Sequence, residues 1–451
     1  MSSSQPRPDS PGRPGTRAGE LDDPLHQSGR TLLTVLMCAA AAVGLVGGIV
    51  YLTQKGGADV ESVALALLYA ALPVPVLVGV YLWLDSYEPE PRRYLGSAFV
   101  WGAFGAVTIV LLVQVPIEKV WEPSMHTSAV YLAPLLEEPA KGVFLLFTLL
   151  RRRRVIDGMV DGFVYAGVAA LGFAFTENVL YYTSAYMAAS EVDIPGTLGA
   201  TGTFFGRGLM TPFMHPIFTS LFGVGLAMAT LARKPIARVV FPVIGIGAGM
   251  LAHGSWNAAA STGEPGLLLV AYVGMLTLLG GLITWAMIAR RNEGRLLWEA
   301  LTDMARRRGW LHVDEVPYLA RLGLRSRARA YAKRASGDDA AHAVRRYQKL
   351  ACETAFLYDG VMRGRPKYHA VERVDAMRAA MTLVRPRIVL PPPVRIVKRL
   401  PRAVRSPAWG YPPPAWHQPP PTTWQAPQQV TSPPYPPPPA PYRPPGPPRR
   451  R

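Results

Sequence analysis

The sequence predicts an all-α polytopic membrane protein with about eight transmembrane helices, a small helical cytoplasmic domain and a disordered Pro-rich tail. Three observations predict it. Hydrophobic residues make up 49% of the 451 residues and charged residues 17%, against about 25% charged in an average soluble chain. The apolar residues crowd into residues 31–289. Of the 45 prolines, 23 fall in the last 61 residues.

Each part follows in order. Residues 1–30 are rich in Ser, Pro, Gly and charge and are expected to be disordered. They are not expected to be a secretory signal, because the first apolar run starts only at Thr31 and is too long. A bilayer core needs about 20 apolar residues per helix. Eight runs meet that need: 31–52, 62–84, 94–115, 128–150, 159–182, 203–231, 239–259 and 266–289. Together they define a transmembrane core over residues 31–289.

Orientation follows from Lys and Arg in the connections. One set holds Arg92 and Arg93, Arg151 to Arg154, Arg233, Lys234 and Arg238, then Arg290 and Arg291; the other holds only Lys55 and Lys119. The sets alternate as eight spans require, which places both termini in the cytoplasm of a cell-membrane protein. The net charge of +18 is then topological and directed at anionic lipid, so no nucleic-acid partner is expected. Residues 290–390 are charged, with helical stretches such as Leu296–Arg308 and Asp338–Tyr358, and read as a cytoplasmic helical domain. Residues 391–451 read as an extended Pro-rich tail with interspersed Trp and Tyr, a form that docks on aromatic-lined grooves of binding partners or stays solvated. Cys38 and Cys352 are the only cysteines and are not expected to pair.

Ionisable groups inside a spanning helix cost about 2.5–3.5 kcal/mol each and mark buried functional sites. Here they are Glu137, Glu138 and Lys141 in the fourth span, Glu177 in the fifth, His215 in the sixth and His253 in the seventh. Asp161 and Arg207 lie nearer span ends. At 1.5 Å per residue, Glu137 and Glu138 lie roughly 14 Å deep, Glu177 roughly 8 Å, His253 roughly 9 Å and His215 roughly 18 Å from the outer face. A shared depth on four consecutive helices points to one wet cavity. Glu137 and Lys141 share a helix face, as do His253 and Asn257, and His215 and Thr219. Pro139, Pro212 and Pro216 remove backbone donors beside these groups.

A buried carboxylate can take a proton from water and return it to a leaving amine. His and Asn donors can stabilise an oxyanion, and carboxylates with imidazoles can hold zinc. Peptide hydrolysis in the membrane fits either route. No HExxH or GxSxG motif is present. Two other readings stay open: a non-enzymatic proton-coupled transporter, and a membrane receptor or scaffold signalling through its cytoplasmic region. Glu137 with Lys141 also reads as a packing salt bridge, and Phe173 as a packing residue.

These residues resemble the PrsW-type intramembrane proteases. Glu137-Glu138-Pro139-Ala140-Lys141 matches the EExxK motif. Asp161-Gly162, followed by Leu171-Gly172-Phe173-Ala174-Phe175-Thr176-Glu177-Asn178, is similar to the DG…GFxxxEN segment. His215 and the pair His253/Asn257 match two later histidine motifs, and Glu88-Pro89-Glu90-Pro91 is also similar. The resemblance covers roughly residues 75–290. It implies a place beside CAAX-processing and bacteriocin-maturation proteases, and a membrane-tethered protein substrate such as an anti-sigma factor cut at site 1. Glu137 or Glu138 would be general base and later acid. His215 and Glu177 would position the water, and His253 and Asn257 would polarise the scissile carbonyl. Lys141 would tune the glutamates, with Asn178 in support. The family description implies a metal, with zinc on His215, His253 and Glu177; related glutamate-dependent members imply none. The chain departs from CAAX-type relatives at Glu177, where they carry histidine.

Overall fold

A computed structural model describes residues 59–151, 159–232, 234–364 and 370–393, and Gly44. The expected first span, residues 31–52, and the expected tails, 1–30 and 391–451, lie outside the described residues except for Gly44 and the stub 391–393. All regular structure among the described residues is helical. Six helical segments are long and apolar enough to cross a membrane: Val60–Leu84, Arg92–Trp121, Val160–Ser190, Gly196–Leu231, Ala237–Ser261 and Pro265–Arg306. The chain is an integral membrane protein.

α1 (Val60–Ala71) starts where the Asp59 side chain accepts from the Ser62 amide at 2.8 Å, a standard N-cap. Pro73 opens α2 (Pro73–Leu84), where a missing N–H costs nothing. α3 (Arg92–Val100) widens into a π-helical turn, Trp101–Ala106, and continues as α4 (Val107–Trp121). A second π turn, Ser128–Leu132, leads into α5 (Ala133–Arg151). This is the expected fourth span. Glu137, Glu138 and Lys141 make it too polar to stand among the six, yet it packs in the same bundle.

The expected sixth span, 203–231, is two helices. α7 (Gly196–Phe204) ends in a third π turn, Phe205–Met210, and α8 (Met214–Leu231) restarts after a break. Thr211 leaves the helical region at φ −128°, ψ 30°. Pro212 and Pro216 are the cause, since neither donates a backbone hydrogen bond. Tyr272 Oη donates to Met210 O at 3.1 Å, and Thr211 Oγ1 joins its own amide on Gly206 O at 3.0 Å. The break puts His215 in the first turn of α8.

α6 (Met159–Ser190) is the axis of the bundle. Residues Val160 to Ala174 are all buried, as expected of a helix apolar all round. α6 touches α1, α2, α3, α7 and α8. Gly162 and Gly223 let α6 and α8 meet backbone to backbone, because a Cβ on either would strike the other's carbonyl oxygen. That approach fixes Glu177 on α6 relative to His215 on α8.

α9 (Ala237–Ser261) packs on α8, and α10 runs from Pro265 to Arg306 without a break. Its 42 residues reach about 63 Å. Its C-terminal part enters a second core in which Leu297, Leu301 and Met304 meet Tyr347, Leu350, Val374 and Met377. Those residues come from α12 (Leu322–Met362) and α13 (Ala370–Val384), with the short α11 (Val316–Ala320) between. α12 folds on itself at Ser336 and Gly337, the glycine taking φ +82°, which suits a residue without Cβ.

The last turn of α2 and the loop after it join the two cores. Arg290 on α10 donates to Trp83 O at 3.2 Å, and Arg325 on α12 to Tyr87 O at 3.3 Å. Above this grip, Tyr165 on α6 donates to Glu90 at 2.8 Å. Asp85 is buried here, accepting from the Glu90 amide at 2.7 Å. Burial, reinforced by the neighbouring Asp161 carboxylate, pushes its pKa from 3.8 up to about 8. The folded state therefore keeps a proton that the unfolded chain releases, and stability falls as pH rises from about 4 to about 8. Asp85→Asn is expected to raise the thermal midpoint of the detergent-solubilised protein. The gain should grow between pH 5 and pH 8 and level off above; a pH-independent effect would contradict this account.

Candidate functional site

α5 supplies Glu137, Glu138 and Lys141 on one face. Lys141 is fully buried, and its ammonium sits at the centre of the cluster. Nζ donates to Glu137 Oε2 at 3.1 Å, to Glu138 Oε1 at 2.9 Å and to His215 Nδ1 at 3.0 Å. Three protons meet three acceptors. The Phe173 ring covers Nζ at 3.9 Å from its centroid, so this residue does more than fill space.

An ammonium only donates, so His215 Nδ1 must accept. The proton of the neutral ring is then on Nε2, which donates to Glu177 Oε2 at 2.7 Å. This assignment comes from the hydrogen-bond network. It leaves His215 no basic nitrogen. His253 is set differently. Its Nδ1 donates to Glu138 Oε1 at 3.1 Å, its ring stacks on Phe218 with centroids 4.8 Å apart, and Nε2 has no partner among the described residues.

The two adjacent glutamates are not equivalent. Glu138 accepts from Lys141 and His253 through Oε1, and from Thr219 Oγ1 at 2.8 Å through Oε2. Glu137 accepts from Lys141 through Oε2 alone. Its Oε1 has no donor among the described residues.

Glu177 forms the outer end of the chain of contacts. Arg207 Nη2 meets Glu177 Oε2 at 2.5 Å, and Arg207 Nε donates to Asn178 Oδ1 at 2.9 Å. The guanidinium lies 3.8 Å from the Tyr181 ring centroid. Side-chain exposure rises along this line: 2% at Glu138, 8% at Glu137, 10% at His215, 17% at Glu177 and 30% at Arg207. The cluster therefore opens toward Arg207.

The structure thus brings Glu137, Glu138, Lys141, Glu177, His215 and His253 together, with Asn178 held through Arg207. Asn257 makes no hydrogen bond to these groups among the described residues. Its Nδ2 donates to Ala129 O at 2.8 Å, in the π turn before α5. A wide π turn leaves such carbonyls available, and Thr176 does the same at Ala103 O, at 2.6 Å, in the first π turn. Arg207 and Thr219 were not among the expected site residues. Thr219 had a sequence cue, lying four residues after His215 on one face. Arg207 had none, because no feature of the apolar run 203–231 marks the π turn Phe205–Met210 that carries it.

Glu137, Glu138, His215 and His253 each offer a metal-binding atom, all within 4.8 Å of one another. Two carboxylates and two imidazoles are suitable zinc donors. Glu177 holds the far side of His215 and is outside this set. However, Lys141 Nζ stands among the donors, within 3.1 Å of Glu137, Glu138 and His215. The set does not fit a divalent ion while that ammonium is in place.

Removing one partner of a buried ion pair leaves the other uncompensated, at about 3–5 kcal/mol. Glu138→Ala strips three hydrogen bonds and is expected to lower stability by an amount of that order. Asn257→Ala, which loses one neutral bond to a backbone carbonyl, should cost about 1 kcal/mol. Thermal unfolding in one detergent ranks the two; equal losses would refute the ordering.

Residues 90–283 match a family profile described as PrsW family intramembrane metalloprotease. Protease PrsW of Clostridioides difficile is 32% identical over 125 residues, covering 26% of this chain and 51% of that protein. Protease PrsW of Geobacillus kaustophilus is 28% identical over 170 residues, 38% of this chain and 69% of that protein. Protease PrsW of Oceanobacillus iheyensis is 30% identical over 118 residues, 26% and 54% respectively. The chain spans about half the length of two of these relatives. No solved structure matches. The matched segment contains every residue of the buried cluster.

Proposed function

We propose that the chain is an intramembrane endopeptidase that hydrolyses a peptide bond of a membrane-tethered protein with a glutamate-activated water. The observation that carries this reading is the inequality of the two glutamates. Glu138 is saturated by three donors, while Glu137 keeps one oxygen for a water.

Glu137 Oε1 takes a proton from water, and the hydroxide adds to the scissile carbonyl carbon. Negative charge develops on the carbonyl oxygen. Lys141, Arg207 and the N-terminal end of α8 supply positive potential around it. Glu137 then gives the proton to the leaving nitrogen as the C–N bond breaks, releasing an amine and a carboxylic acid. His215 holds Lys141 and Glu177 in register, and Glu138 orients His253. The unpartnered Nε2 of His253 is a second acceptor beside the glutamates. Zinc on the imidazoles and carboxylates, the cofactor that the family description implies, would act as a Lewis acid; the position of Lys141 supports the metal-free route.

The charge pattern of the connections supports a cell-membrane protein with both termini cytoplasmic. The cleavage point would then lie toward the outer face, where the cluster opens at Arg207. An anti-sigma factor with one membrane span is the substrate class that the family resemblance suggests.

The test is cleavage of a single-span reporter by the full chain in liposomes. Glu137→Gln, which leaves Lys141 its ion pair with Glu138, is expected to cut the rate by at least about 100-fold in a chain that still unfolds cooperatively on heating. Unaltered cleavage by that variant would remove the proposal.

A further inference from the structure

We infer that the Lys141 ammonium is the permanent cation of this centre and keeps its two-glutamate, two-histidine donor set closed to zinc and other divalent ions. Zinc binds its ligands at about 2.0–2.2 Å, so an ion seated among these donors would lie against Nζ. Each proton of Nζ already has an acceptor, in Glu137, Glu138 and His215. Lys141 is in the middle of α5, fully buried and covered by Phe173. His215 is also committed by the same contact: the nitrogen lone pair that a metal would need is taken by an N–H of the ammonium.

The charges agree with this arrangement. Glu177 is neutralised by Arg207. Glu137 and Glu138 share Lys141, leaving the group one negative charge. A divalent ion added beside a charged lysine would turn that into an excess positive charge inside a membrane. Replacing Lys141 by a neutral side chain reverses the case. Two carboxylates would lose their cation, His215 Nδ1 would be freed, and four donors within 4.8 Å would face one another without compensation. Such a variant is a metal site.

This inference does not need the peptidase reading, and its readout is metal content rather than activity. The full chain, free of tags, is incubated with equimolar zinc, passed through gel filtration and analysed for zinc by mass spectrometry. The wild-type chain is expected to retain far less than one equivalent and to unfold at the same temperature with and without zinc. Lys141→Met is expected to retain about one zinc per chain, the stoichiometry of a four-donor site, and to be stabilised by it; His215→Ala in that background should abolish retention. One zinc per wild-type chain, lost in His253→Ala, would overturn the inference, as would a folded Lys141→Met chain that holds none. If Lys141→Met does not fold, the wild-type measurement decides alone.

Discussion

Burying Lys141 completely inside a membrane protein obliges the fold to bring counter-charges to it. The ammonium meets two carboxylates from its own helix and an imidazole from α8. Those partners recruit the rest: Glu138 binds Thr219 and His253, and His215 binds Glu177, which binds Arg207. Every charge in this part of the membrane core is tied through one donor atom. The cost of an unpaired charge in hydrocarbon explains why these groups converge. Geometry then decides what each can do, since a saturated carboxylate and a half-engaged one have different chemistry.

The backbone bends to make this convergence possible. Three π turns lie beside the cluster, and two of them lend a carbonyl to a residue of a neighbouring site helix. The third carries Arg207. The proline break before α8 places His215 at a helix start, where local positive potential favours its acidic neighbours. Glycines at 162 and 223 bring α6 and α8 close enough for His215 to reach Glu177.

Much of this was legible in the sequence. Six of the eight apolar runs coincide with segments long and apolar enough to cross a membrane, and the few charges within the runs share the outer half to middle of the bilayer, so Glu137, Glu138, Lys141, Glu177, His215 and His253 group together from the sequence. Single-file reading fails where an outcome depends on two helices at once. It could not say which of two adjacent glutamates would be saturated, because Thr219 and His253 decide that from α8 and α9. It placed Asn257 with His253 by shared face, and could not show that its Nδ2 would bond Ala129 O in the π turn before α5. Arg207 read as an interfacial residue because nothing in the apolar run marks the π turn that carries it, and Pro212 marked the break without telling its direction.

α10 carries a different lesson. It lines the membrane core at one end and fills the second core at the other, with no interruption in its 42 residues. A stiff rod of that size behaves as a lever. Tilting it by about 10° would carry the far end roughly 11 Å sideways, given a length near 63 Å. The helices packed around Leu297 and Met304 therefore cannot drift independently of the bilayer; any change in the lean of the last span is delivered to them amplified.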